Sequence, residues 1–196
     1  MGRTPSLPPV RRQLSIWYEH TRVPGFSVLA HRRLEQEMVD HGFTLDAEEP
    51  DAVVLGFDTG LTYAKLWQLC NHIRAGLPYF AMHPDFNCPT ETGYMPDIGA
   101  VIAFVKASTG REPDCIIGKP NALIIRALSE KTGVPVERLV TVGDRLYTDI
   151  ALGQAGLATV LVLSGETRAE DVAGSAYQHD IILAGVDELL ELLQEA

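Results

Sequence analysis

Residues 140–150 read VTVGDRLYTDI, and the reading of this stretch decides the fold. A short apolar run ends on Gly143, Asp144 leaves the turn, and Asp149 follows at the start of what reads as a helix, TDIALGQAG. A strand that passes through a glycine turn into a helix is one unit of a parallel sheet. In such sheets ligands collect where the carboxyl ends of the strands open into loops.

Two carboxylates five positions apart across that turn can converge on one hard cation, which takes oxygen ligands and keeps several waters. Upstream, CIIGKP (115–120) repeats the pattern, with Lys119 following an apolar strand and a glycine. A lysine there supplies a compact positive charge suited to a phosphate. Each residue also has a plainer reading: Lys119 as a solvated surface side chain, Asp144 as a turn closer, Asp149 as a helix N-cap. The chemical reading rests on both motifs occurring in order, each at the end of an apolar strand.

Working outward, helix-type and strand-type segments alternate from about residue 34. RLEQEMVDHGF is helical, AVVLGF a strand, and TYAKLWQLCNHIRAG a helix with Thr62 as N-cap and Gly76 as stop. LPYFAMH is a strand, PDFNCPTETGYMPD a loop, and IGAVIAFVKASTG a helix. DCIIGK, RLVTVGD, ATVLVLSG and DIILAG read as strands, NALIIRALSEKTG and VDELLELLQEA as helices. Repeated strand–helix units predict an α/β protein with mostly parallel pairing. Residues 1–33, with paired arginines and several prolines, show no period and are expected to be irregular.

The net charge is −10, unevenly placed. Residues 1–33 hold six arginines against the single acid Glu19, so the acidity sits in the rest of the chain. An acidic body argues against nucleic-acid binding and leaves the basic N-terminal stretch as the one weak candidate for it. No apolar run is long enough to span a membrane and no signal peptide is evident, so cytoplasm is the expected compartment. Cys70, Cys88 and Cys115 are odd in number and widely spaced, which fits reduced thiols. Trp17 and Trp67 are expected to pack.

The stretches PDAVVLGFDTGLTYAKL, MHPDFNCPTETGYMPDIGA, IIGKPNALII and VGDRLYTDIALGQAGLATVLVLSGET resemble the haloacid dehalogenase superfamily of phosphatases. More narrowly, they resemble the NagD-like subgroup, which carries a large inserted α/β cap and includes p-nitrophenyl, pyridoxal and phosphoglycolate phosphatases. The resemblance runs from about residue 34 to the C-terminus. It implies a cap at 34–110 and the C-terminal half of a Rossmann-like core at 111–196. It also implies Mg²⁺ as cofactor, Lys119 as the phosphate-stabilising lysine, Asp144 as a metal ligand and Asp149 as a second carboxylate holding the metal's water shell. The family's chemistry is attack by an aspartate on a small phosphomonoester, giving an aspartyl-phosphate that water cleaves. The loop containing His83, Asp85 and Asn87 would reach the substrate, and a homodimer through the cap is a further implication.

In this superfamily the attacking aspartate sits in Asp-x-Asp, the second carboxyl serving as acid and base. Asp58, in DAVVLGFDTGLTY (51–63), lies on a turn but has Gly60 at +2, which has no proton to give. The resemblance assigns it to the cap. The nucleophile motif should precede residue 34, and residues 1–33 contain no aspartate. The chain as given is therefore expected to be inactive or strongly impaired, and the alternative is a non-catalytic remnant or binding protein. Reading LAHRRL (29–34) from the third base of each codon permits Gly-Thr-Pro-Ser-Leu, similar to a family segment, so residues 1–33 also fit an out-of-frame reading that the nucleotide sequence would decide.

Overall fold

The computed structural model describes residues 25–45 and 47–195. Chain contacts divide it into two compact units, Met1–Gly118 and Lys119–Ala196. The break falls beyond the expected 110/111 boundary. The strand Cys115–Ile116, expected with the second unit, pairs instead with the first unit's sheet.

The first unit holds β1 (Gly25–Leu29), α1 (Arg32–Asp40), β2 (Thr44–Leu45), β3 (Ala52–Leu55), α2 (Tyr63–Arg74) and β4 (Tyr79–Ala81). After them come β5 (Asn87–Thr90), β6 (Gly93–Pro96), α3 (Ile98–Thr109) and β7 (Cys115–Ile116). Five strands form a parallel sheet in the order β2-β1-β3-β4-β7. Alternate side chains of β3 feed two cores. Val53 and Leu55 pack with Leu69, Ile73 and Val105 from α2 and α3, while Ala52 and Val54 pack with Phe26 and with Met38 from α1. Covering both faces in this way is what a parallel sheet requires.

β1 corrects the expectation that residues 1–33 are irregular. Gly25–Leu29 pairs with β3 from Phe26↔Ala52 to Leu29↔Leu55, and Phe26 is fully buried with its ring edge-on to Phe43 at 5.3 Å. A strand flanked on both sides and buried on both faces has no polar alternation to reveal it. Trp17 and everything else read from residues 1–24 lie outside the described residues.

The second unit holds α4 (Ala122–Thr132), β8 (Val140–Gly143), β9 (Ala158–Val162), α5 (Ala169–Val172), β10 (Ile181–Leu183) and α6 (Val186–Glu195). Its three strands are parallel in the order β10-β9-β8. Ile125 of α4 packs with Leu152 and Leu157, and Leu189 of α6 packs on Val160, Val162 and Leu183. Two local expectations fail. Ile150–Ala155 is a 3₁₀ segment rather than an α-helix, closed by Gly156 at φ +96°. The loop after β4 contains an antiparallel hairpin, β5 with β6, in which Cys88 faces Met95.

Candidate active site

At the end of β8 the two aspartates part. Asp144 Oδ2 accepts from the Glu166 backbone N–H at 2.6 Å, and its carbonyl accepts from the Thr167 N–H at 3.1 Å, tying the strand end to the loop after β9. The Asp149 carboxylate is 7% exposed and does not cap the segment it precedes. Its Oδ2 takes the Arg145 N–H at 3.3 Å, and its Oδ1 takes Lys119 Nζ. Lys119 is half exposed. Lys119 and Asp149 are thus directly paired, and Asp144 leaves the same strand end on which Asp149 folds back.

Two glycines make room for this. A Cβ on Gly143 would run into the Asp149 side chain, and one on Gly165 into the Asp144 carboxylate. Arg145 Nε donates to Glu166 at 2.6 Å, with the Tyr147 hydroxyl donating to the same carboxylate at 3.4 Å. Arg145 and Glu166 were not singled out from the sequence, although both lie in the quoted VGDRLYTDIALGQAGLATVLVLSGET. Thr148, 1% exposed, has a buried hydroxyl without a hydrogen-bond partner.

The donors fit Mg²⁺: they are carboxylate oxygens, and this ion is commonly held by one or two carboxylates with waters filling the rest. Among the described residues no group of three or more His, Cys, Asp or Glu side chains is gathered for a metal. Asp144 and Asp149 are the carboxylates at this strand end that would hold such an ion, and Lys119 is paired with Asp149 beside it.

The remaining predicted residues lie in the first unit. His83 stands with Nδ1 3.7 Å from Asp85 and Nε2 3.7 Å from Asp97, both beyond hydrogen-bond reach. The 83–86 loop is pinned to the first turn of α3, Gly99 N–H donating to the Asp85 carbonyl at 2.7 Å and Asp97 N–H to the Phe86 carbonyl at 2.9 Å. Asn87 opens β5 and is exposed. Asp58 is held as structure: its carboxylate, 5% exposed, takes Lys65 Nζ at 2.5 Å and the Gly60 N–H at 2.8 Å. Burial pushes its pKa up, but the hydrogen bonds from Lys65 and Gly60 and the charges of Lys65 and His31 outweigh this and hold it below the ordinary value. The three cysteines are free thiols.

With this geometry the chain matches known proteins. Residues 116–189 match the HAD-hydrolase-like family profile. The 4-nitrophenylphosphatase structure from Thermotoga maritima is 41% identical with a TM-score of 0.84, over 94% of this chain and 71% of that one. The chain belongs to the NagD-like haloacid dehalogenase phosphatases. The ribonucleotide monophosphatase NagD of Escherichia coli K12 is 33% identical over 163 residues, 83% of this chain and 64% of NagD. A glycerol phosphate phosphatase from Mycobacterium tuberculosis, solved with magnesium, is 25% identical with a TM-score of 0.82, over 92% of this chain and 56% of that one. The chain spans between about half and two thirds of the length of the curated relatives it matches. The family supports the α/β class and a Rossmann-like core with a cap.

Proposed function

We propose that this chain carries the charge-balancing half of a Mg²⁺-dependent phosphatase acting on small phosphomonoesters through an aspartyl-phosphate. The observation that carries the reading is the Lys119–Asp149 pair at the end of β8, with Asp144 leaving the same strand. Lys119 would neutralise the transferring phosphoryl oxygens, and Asp144 and Asp149 would hold the metal. Mg²⁺, when bound, would polarise the phosphoryl group. His83, Asp85 and Asn87 are assigned to the substrate's far end, on the first unit as cap.

Asp58 is committed to Lys65 and Gly60, and no Asp-x-Asp occurs within the 196 residues. Turnover by these residues alone is therefore proposed to be strongly impaired. That observation also favours a second reading, a non-catalytic remnant that binds Mg²⁺ or a partner. The proposal extends to a homodimer through the cap. Its surface would be the α2–α3 face, where Tyr63, Trp67 and Phe104 are exposed beside a cavity of about 390 Å³. A cytoplasmic location and no role for nucleic acid or membrane belong to the same reading. No helix among the described residues is long and apolar enough to cross a membrane.

Hydrolysis of p-nitrophenyl phosphate, with and without Mg²⁺, tests the proposal. Mg²⁺-dependent release of nitrophenol that disappears in Asp144→Asn, with the melting temperature kept, supports the phosphatase. Mg²⁺ binding that depends on Asp144 without any hydrolysis supports the remnant.

A further inference from the structure

Arg145 follows Asp144 in the second unit and is tied to both carboxylates of that strand end. Its backbone holds Asp149: the Arg145 N–H donates to Asp149 Oδ2 at 3.3 Å, and its carbonyl accepts from the Asp149 and Ile150 N–H groups at 3.0 and 3.1 Å. Its side chain reaches the other way, Nε donating to Glu166 Oε2 at 2.6 Å. Glu166 in turn gives its backbone N–H to Asp144 Oδ2 at 2.6 Å, and Thr167 gives one to the Asp144 carbonyl at 3.1 Å.

The bond from Glu166 to Asp144 comes from the backbone, so the Glu166 side chain acts on it only by fixing where the 164–167 loop lies. The bridge that does this is partly withdrawn from water, the Arg145 side chain being 15% and that of Glu166 37% exposed. The Tyr147 hydroxyl adds a weaker hold on Oε1 at 3.4 Å. Gly165 lets the loop come this close, since a Cβ there would collide with the Asp144 carboxylate. With Oδ2 pinned, the carboxylate is held in one orientation, and Oδ1, which has no partner among the described residues, is the oxygen available to an ion.

We propose that Arg145 is a positioning residue for the metal site: its bridge to Glu166 sets the loop that orients Asp144, while its backbone holds Asp149. This rests on the phosphatase reading, in which those two carboxylates take Mg²⁺. Carboxylates that ligate metals are commonly fixed by hydrogen bonds of their own, and loss of such support weakens metal affinity by about 10–100-fold.

The test is Mg²⁺ titration of the full-length chain by calorimetry, with melting temperature and amide hydrogen exchange measured without the metal. Charge alone predicts opposite signs: removing the Arg145 cation should tighten Mg²⁺ binding, and removing the Glu166 anion should weaken it. Positioning predicts weakening in both. Arg145→Met, which keeps the apolar stem, and Glu166→Ala are each expected to lose about tenfold in Mg²⁺ affinity. The double variant should lose no more than either alone, because both break one link. Glu166→Gln, which leaves an acceptor for Nε, should keep most of the affinity. Without Mg²⁺, exchange at the Glu166 and Thr167 amides should quicken in Arg145→Met while the β9 amides stay protected.

Mg²⁺ affinity that holds or rises in Arg145→Met, losses that add in the double variant, or unchanged exchange at Glu166 overturns the proposal. Where Arg145→Met does not fold, Glu166→Ala and exchange at Thr167 carry the test. No Mg²⁺ binding by the unaltered chain at millimolar concentration overturns the phosphatase reading and this proposal together, whereas binding that needs Asp144 but survives Arg145→Met overturns this proposal alone.

Discussion

Replacing Asp58 by alanine removes the acceptor that fixes the Gly60 N–H at 2.8 Å and the partner of Lys65 Nζ at 2.5 Å. With the carboxylate only 5% exposed, water replaces little of what is lost. A hydrogen bond to a charged acceptor contributes about 1.5–3 kcal/mol. Lys65 is 42% exposed, so solvent screening holds the ion pair itself to about 0.5–1 kcal/mol. Asp58→Ala should therefore cost about 2–4 kcal/mol, and Asp58→Asn, which keeps an acceptor for the turn, about 1 kcal/mol.

The pH dependence gives a second handle. A carboxyl whose folded pKa lies below its unfolded value adds stability that is complete above the unfolded pKa and is lost as pH falls through the folded one. Asp58 is such a group. The stability gap between wild type and Asp58→Ala should be constant from about pH 8 to about pH 5 and should narrow below about pH 4. Urea unfolding followed by tryptophan fluorescence suits the test, because Trp67 lies on α2 two positions after Lys65. An unchanged midpoint at neutral pH, or a gap that widens in acid, would refute the reasoning. Loss of Mg²⁺-dependent phosphate binding in Asp58→Asn would return Asp58 to the list of reactive groups.

Tyr79 is fully buried, its hydroxyl lacks a hydrogen-bond partner, and burial drives its pKa well above the usual phenol range. Tyr79→Phe should leave stability unchanged or raise it by about 1 kcal/mol, and a clear drop in melting temperature would reveal a partner for that hydroxyl. Gly143→Ala should push Asp149 away from Lys119, costing about 1–3 kcal/mol and weakening Mg²⁺ affinity by tenfold or more; Gly174→Ala, with open space at its Cβ, should change neither in calorimetry. Among the described residues β8 is an edge strand of a parallel sheet, and Val140 and Val142 on it are exposed. Val140→Lys with Val142→Lys should reduce self-association in light scattering, and an unaltered particle size would show that this edge does not drive it.

What the sequence revealed and what it hid follow from the same physics. β8 announced itself because an apolar run ends abruptly in Gly-Asp, whereas β1 is buried on both faces and offers no alternation. The hairpin of Asn87–Thr90 with Gly93–Pro96 was hidden by Pro89 and Pro96, which ordinarily demote a segment from strand status. Gly153 and Gly156 interrupt the segment after Asp149, and it settles as a 3₁₀ turn. The Lys119–Asp149 pair joins residues far apart in the chain. No local pattern encodes such a distance, so the sequence named both residues without saying that they meet.

A signal for the whole constellation was nevertheless present. Gly118 precedes Lys119, Gly143 precedes Asp144, and Gly165 precedes Glu166. None of the three has a positive φ, so backbone freedom does not explain them. What each would hit with a Cβ does: the Met82 carbonyl for Gly118, the Asp149 side chain for Gly143, and the Asp144 carboxylate for Gly165. The space of each missing Cβ is filled by a group the local structure depends on. At these three positions a glycine directly before a charged residue marks close approach rather than a backbone that needs positive φ. Read that way, SGET (164–167) would have pointed to Glu166, and to the loop that fastens Asp144, from the sequence alone.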